Sequence, residues 1–403
     1  MLTGKHVLLG ITGGIAAYKT ANLASMLVKL HADVHVIMTK NAQKIISPVV
    51  FEALTGNKVI DDAFDRDSGY QVAHIAMAQE ADVVMIAPAT ADMIAKLACG
   101  IADDMLSTTM LAVTAPVYIV PAMNTHMLEH PATQANIEKL RSYGCQIVEP
   151  ASGFLACGDS GKGKMPEAEE LLEYILYEAA CAKDLAGKKV LITAGPTRER
   201  IDPVRFITNH STGKMGYALA KNAARRGAQV TLVTGPVSLP VPLHVQALPV
   251  TAAQEMYEAV DAHFDSQDIV VMSAAVADYR PMHTAAEKIK KTDAVAVLEL
   301  ERTIDILGSM SKRKNRQFLC GFSMETENML ENSKAKLEKK NLDMIVANNL
   351  RMQGAGFGTD TNIITMITKD QIQELPKMSK DEAAHAVFDH ILQYLNKKIK
   401  QTE

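Results

Sequence analysis

His74, Asn124 and Cys157 are the side chains of the first half whose types and positions could carry chemistry. His74 follows the polar stretch SGYQVA at the expected start of a helix. An imidazole there can act as acid or base, or simply face water. Asn124 lies in PAMNTHM just past an apolar run, where an amide can bind a ligand or cap a helix. Cys157 sits in the glycine-rich GFLACGDSGKGKM, which reads as a lid. A thiol on a lid can donate a proton, whereas an ordinary loop thiol does nothing. In the second half, Lys288 belongs to EKIKK, and Lys336 and Lys340 are spaced four apart on one helix face. Such lysines either grip a phosphate chain or form a solvated surface. Asp278 ends SAAVAD after an apolar run, the place for a metal or ribose ligand.

Two glycine-bearing loops could supply an anion site. ITGGIAAYK puts Gly13 and Gly14 between a strand and a helix, where backbone N–H groups and the helix dipole favour a phosphate. The loop is not GxGxxG, and Thr39 rather than an acid ends the following strand, which disfavours NAD. NHSTGKMG (209–216) has the GK of a P-loop without the full spacing, which disfavours a conventional P-loop ATPase.

The elements that must position these residues alternate in kind. Strands are expected at 6–11, 33–39, 82–87, 117–120 and 146–148, with helical spacing between them. The pattern restarts with KKVLITAG, then a long loop, a helix over 213–227 and a strand over 228–236. Later strands are expected at 268–272, 317–321, 343–347 and 362–367. Such alternation implies α/β architecture with parallel, doubly wound sheets. A helix at 167–181 closes the first domain, with a hinge at 184–188, so the domains are 1–185 and 186–403.

The length of 403 residues fits two or three domains. A formal charge of −4 gives no electrostatic reason for nucleic-acid or membrane-surface binding. No apolar run reaches the roughly 20 residues of a membrane span, and the N-terminus reads as a first strand rather than a secretion signal. Five scattered cysteines without a CxxC pair fit reduced thiols and a cytoplasmic location.

Taken in order, the segments GGIAAYK (13–19), His74, APATADMIAKLACGIADDMLSTT (87–109), PAMNTHM (121–127), ACGDSGKGKM (156–165), ITAGPTRERIDPVRFITNHSTGKMG (192–216), AAVADY (274–279), EKIKK (287–291), GFSMET (321–326) and KKNLD (339–343) carry a resemblance over nearly the whole chain. The sequence resembles the bifunctional phosphopantothenoylcysteine decarboxylase/phosphopantothenate–cysteine ligase family of bacterial coenzyme A synthesis. The resemblance implies two Rossmann-like domains, each a mainly parallel sheet flanked by helices.

For the first domain it implies an FMN-dependent decarboxylase. FMN would be held by Gly13, Gly14, Ile15, Thr39, Pro88, Ala89, Thr90, Ala91, Asp92, Ser107 and Met127. His74 would be the acid/base, Asn124 would hold the substrate carboxylate and Cys157 would protonate an enethiol. The thiol would be oxidised to a thioaldehyde, carbon dioxide would leave, and the enethiol would be reduced back to a thiol.

For the second domain the resemblance implies a ligase that joins 4'-phosphopantothenate to cysteine through an acyl-cytidylate, using CTP and Mg²⁺. Asn209, Arg205, Ala274 and Lys288 would serve catalysis. Asp278, Lys288, Thr303, Ile304, Asp305, Ile306, Phe322, Lys336 and Lys340 would line the CTP site, with Asp278 on the metal. Two positions depart from the family pattern: Ile304 precedes Asp305, and Asn349 follows the KNLD strand. A homo-oligomer built on trimers, with ligase domains pairing as dimers and up to a dodecamer in all, is implied as well.

Overall fold

The computed structural model describes residues 1–62, 73–154, 158, 160–291, 297–325, 328–349, 356 and 358–402. Two units are distinct, Met1–Ala182 and Lys183–Glu403.

In the first unit the chain runs β1 (His6–Ile11), α1 (Ala17–Lys29), β2 (Asp33–Met38), α2 (Pro48–Thr55), α3 (Ala73–Glu80), β3 (Val83–Ala89), α4 (Ala91–Cys99), α5 (Met105–Met110), β4 (Val117–Pro121), α6 (Thr125–Glu129), α7 (Pro131–Ser142), β5 (Gln146–Ile147), β6 (Ala151–Phe154), β7 (Ser160–Lys164) and α8 (Ala168–Ala179). The sheet order is β2-β1-β3-β4-β5, with every pair parallel. β1 and β3 are near-continuous apolar runs because both their faces are covered. Leu9, Val36 and Met85 face one core with Leu23 of α1 and Ile175 of α8. Leu8, Ile37 and Ile86 face another with Ile94 of α4 and Leu106 of α5. The hairpin β6–β7 is antiparallel.

In the second unit the chain runs β8 (Lys189–Ala194), β9 (Arg198–Arg200), β10 (Phe206–Thr208), α9 (Lys214–Arg225), β11 (Gln229–Thr234), β12 (Val245–Pro249), α10 (Ala253–Phe264), β13 (Ile269–Met272), β14 (Tyr279–Pro281), β15 (Leu300–Arg302), α11 (Ile306–Arg313), β16 (Phe318–Glu325), α12 (Met329–Lys339), β17 (Met344–Asn349), β18 (Thr361–Asn362), β19 (Ile364–Thr368), β20 (Ile372–Glu374), β21 (Met378–Ser379) and α13 (Lys380–Thr402). The large sheet has the order β12-β11-β8-β13-β16-β17-β19-β20. It is parallel through β17 and antiparallel at β19 and β20. The α/β architecture of the sequence reading is therefore present in both units.

Sequence periodicity missed the small hairpins. The stretch 198–208 reads as loop, yet Arg198–Arg200 pairs with Phe206–Thr208. Each strand is three residues long, too short for alternation to register. The strand expected at 362–367 is divided at Ile363 into β18 and β19, which join different sheets.

Close approach of helix to strand shapes the second unit. A Cβ on Gly216 would stand 2.5 Å from the Ala194 Cβ and 2.8 Å from the Ser273 Oγ. Only glycine lets α9 lie this close to β8 and β13. Gly216→Ala should therefore lower the stability of the full chain by about 1–3 kcal/mol, as overpacking does. A urea titration checks this, and an unchanged midpoint would show that the helix can move away without cost.

Candidate active site

In the first unit the candidate residues gather at the carboxyl ends of the parallel strands, where such sheets bind ligands. Gly13 and Gly14 follow β1, Thr39 follows β2, Pro88 and Ala89 end β3 with Thr90 next, and Asn124 follows β4. The loops are knit together. Thr12 Oγ1 donates to the Pro88 carbonyl (2.7 Å) and accepts from the Thr90 N–H (3.0 Å). A Cβ on Gly13 would meet Asn41 Cβ at 2.6 Å, and one on Gly14 would meet Pro88 Cγ at 3.1 Å. No side chain caps α1, whereas Thr90, Asp104, Asn124 and His130 cap α4, α5, α6 and α7.

These features fit FMN. A loop with two glycines leading into an uncapped helix suits its phosphate. Ile15 (63% exposed) and Met127 (51%) offer apolar surface at the same edge. Asp92 is exposed, and Ala91 opens α4 beside it.

His74 is the second residue of α3, and its Nδ1 is buried with no hydrogen-bond partner. Asn124 caps α6, its Oδ1 accepting from the His126 N–H at 2.8 Å. Ser107 is fully buried in the capping box of α5, donating to Asp104 Oδ1 at 3.0 Å, so its hydroxyl is already engaged. Cys157 lies outside the described residues. β7, which follows it, is anchored beside Asn124: Thr125 Oγ1 donates to the Lys162 carbonyl (2.9 Å), and the Met123 N–H donates to the Gly163 carbonyl (3.1 Å). Sequence reading did not anticipate that anchor.

The second unit has a cleft of about 790 Å³. It is lined by Asn209, Ala274, Asp278, Thr303, Ile304, Asp305, Ile306, Phe322, Lys336 and Lys340, which lie up to 131 positions apart (340 − 209). Asn209 Nδ2 donates to the Ala275 carbonyl at 2.8 Å. Asp305 caps α11 through the Gly308 N–H (2.9 Å) and pairs with Lys340 Nζ (2.8 Å). Burial alone would raise the Asp305 carboxyl. Lys340, the Gly308 N–H and Lys336 outweigh it and hold the group below the usual carboxylate range. Thr303 donates to the Ala277 carbonyl, and its N–H donates to the Asp278 carbonyl at 3.0 Å. The Asp278 side chain stands exposed at this cleft.

Sequence reasoning missed Lys214 and Lys380, which line the same cleft. Lys214 carries a signal in its GK motif and pairs with Asp360 at 2.6 Å. Lys380 carries none, because it begins the C-terminal helix far along the chain. Burial, with Lys214 nearby, pushes its ammonium below its usual range. The Asn349 side chain lies outside the described residues.

Arg205 and Lys288 are not among the residues lining this cleft, contrary to the expectation that they join Asn209 there. Arg205 pairs with buried Asp202 (2.5 Å) and donates to the Ile289 carbonyl (2.7 Å). The Ile289 N–H returns a bond to Asp202 Oδ2 at 3.1 Å, so Asp202 ties the segment bearing Lys288 to the β9–β10 hairpin. Burial raises the Asp202 carboxyl, but the N–H groups of Val204 and Ile289 and the Arg205 side chain hold it far below the usual range. A depressed carboxyl stabilises the fold fully above its unfolded value of about 4 and loses that contribution as pH falls toward its folded value. Asp202→Asn should therefore flatten the acid limb of stability against pH, read from urea midpoints on the full chain. An unaltered acid limb would show that other carboxylates carry it.

The flavoprotein family model matches residues 1–179, and that of the DNA/pantothenate metabolism flavoprotein C-terminal domain matches residues 185–395. The chain is 49% identical over 397 residues to the coenzyme A biosynthesis bifunctional protein CoaBC of Bacillus subtilis (strain 168), covering 97% of each chain. It is 42% identical over 395 residues to the protein of the same name from Escherichia coli (strain K12), again covering 97% of each. A crystal structure of the C-terminal domain of a CoaBC protein is 46% identical and aligns with 54% of this chain and 100% of its own, at a TM-score of 0.47. Among the described residues, no helix is long and apolar enough to cross a membrane. With both halves matched in order and the relatives aligned almost end to end, the chain belongs to the family of bifunctional coenzyme A biosynthesis proteins.

Proposed function

We propose that the second unit joins 4'-phosphopantothenate to cysteine at the expense of CTP, and that the first unit decarboxylates the product to 4'-phosphopantetheine with FMN. The observation that carries the reading is the single cleft that gathers Asn209, Ala274, Asp278, the 303–306 turn, Phe322, Lys336 and Lys340.

In that cleft, Lys336 and Lys340 neutralise the phosphate chain, and the charge they spread aids departure of pyrophosphate. Mg²⁺, when bound, supplies further charge neutralisation, held by Asp278 and mainly by the phosphates. Asn209 holds the activated acyl group. Its bond to the Ala275 carbonyl fixes its amide beside the backbone of Ala274. Lys214 and Lys380 add positive charge at the same cleft.

In the first unit, Gly13, Gly14, Ile15, Thr39, the Pro88–Asp92 segment and Met127 hold FMN, with Ser107 acting through the cap of α5. FMN, when bound, supplies the oxidation that turns the cysteine thiol into an electron sink for loss of carbon dioxide. His74 moves a proton at its buried Nδ1, Asn124 donates its amide to the substrate carboxylate, and Cys157 supplies the last proton.

A homo-oligomer is part of the proposal. Lys288 and Arg205 lie outside the cleft lining of their own chain. Val204, Phe206 and Leu300, on the hairpins near them, expose apolar side chains. Pairing of ligase units would cover these residues and bring Lys288 to a second copy's cleft. The family resemblance adds trimers of the first unit and up to a dodecamer in all.

The test follows acyl products by mass spectrometry, with phosphopantothenate, cysteine, CTP and Mg²⁺ supplied to the full chain. His74→Asn should lose decarboxylation by roughly 10²–10⁴-fold and accumulate the acyl-cysteine. Asn209→Asp and Lys288→Gln should each abolish amide formation and leave decarboxylation of supplied phosphopantothenoylcysteine intact. Loss of both activities in a folded variant would overturn the two-site reading. Co-expressing the Asn209→Asp and Lys288→Gln chains should restore amide formation if Lys288 serves a partner's cleft. No restoration would place Lys288 in its own.

A further inference from the structure

At the amino-terminal end of the first sheet, opposite the candidate flavin edge, two imidazoles and a carboxylate converge. His6 opens β1, and Asp33 and His35 lie on β2. The parallel register pairs His6 with Asp33 and Leu8 with His35. Residues two apart on a strand share a face, so Asp33 and His35 project to the same side of the sheet. His6 Nδ1 and His35 Nε2 each lie 3.3 Å from Asp33 Oδ2. The donor atoms of all three lie within 4.8 Å of one another.

The separation matches a metal site. Two ligands at Zn–N and Zn–O bonds of about 2.0–2.1 Å, at the tetrahedral angle, stand about 3.3 Å apart. His6 Nδ1 is buried and has no hydrogen-bond partner, despite the nearby carboxylate oxygen. A lone pair there would be satisfied by a cation. The carboxylate is oriented from outside the cluster: Asn57 Nδ2 donates to Asp33 Oδ1 at 2.7 Å, which leaves Oδ2 toward the imidazoles. Nothing in either proposed reaction uses these residues.

The geometry points to a divalent transition-metal site formed by His6, Asp33 and His35, with solvent completing the coordination. Two imidazole nitrogens and one carboxylate select an ion of the zinc type over Mg²⁺ or Ca²⁺, which prefer oxygen ligands. The bound ion would clasp β1 to β2 at the closed end of the sheet.

The probe is Co²⁺ added to the metal-stripped full chain. It should bind at one site per chain with the strong visible bands of four- or five-coordinate cobalt, be displaced by Zn²⁺ and survive excess Mg²⁺. The last property separates it from the proposed ligase metal. His35→Gln and Asp33→Asn should abolish the bands, and His6→Gln provides a second ligand test if either folds poorly. Asn57→Ala should keep them at affinity weakened about tenfold or more. Zn²⁺ should raise the melting temperature of the intact chain and not that of folded ligand variants. No bands in the intact chain, or bands unchanged in the folded ligand variants, would overturn the assignment.

Discussion

Backbone must meet backbone at the carboxyl ends of the strands, and glycine is what permits it. A Cβ on Gly13 would strike Asn41, and one on Gly216 would strike Ala194. One on Gly235 would fall 1.8 Å from the Pro196 carbonyl. Each contact lets a loop or helix close over the neighbouring strand, and the sites sit on those closures. In the first unit the closure presents an uncapped helix start. In the second it brings α9 against the cleft that holds the lysines.

Much of the polar chemistry at these edges is first structural. Thr12, Thr90, Ser107 and Asn124 cap helices or bind loops together, and Asp305 caps α11 while pairing with Lys340. A side chain whose geometry is fixed by a cap loses little entropy when it meets a ligand. Asp202 is the corresponding device for the segment carrying Lys288. It accepts from both Ile289 and Arg205, so the hairpin and that segment hold one another in place.

The alternation of apolar runs and helical spacing was enough to read the α/β class, the restart of the pattern near Gly187 and most sheet strands. Those strands are buried on both faces, and their local composition reflects that. The glycines of both loops were legible for the same reason, since their small size is itself the signal. The hairpins β9–β10 and β14–β15 were not. Their strands are three residues long and owe their pairing to contacts with the rest of the unit.

Residue types and order determined the family, the two sheets and the candidates from His74 to Lys340. Only the tertiary structure decided which of them meet. It placed Lys336 and Lys340 beside Asp305, added Lys380 from the start of the last helix, and left Lys288 outside the cleft lining. It also aligned His6 with Asp33 and His35 across a parallel register. The physical reason is common to all four. Periodicity is a property of neighbours along the chain, whereas a charge or a ligand set depends on distances through space, which the sheet order and the covering helices establish.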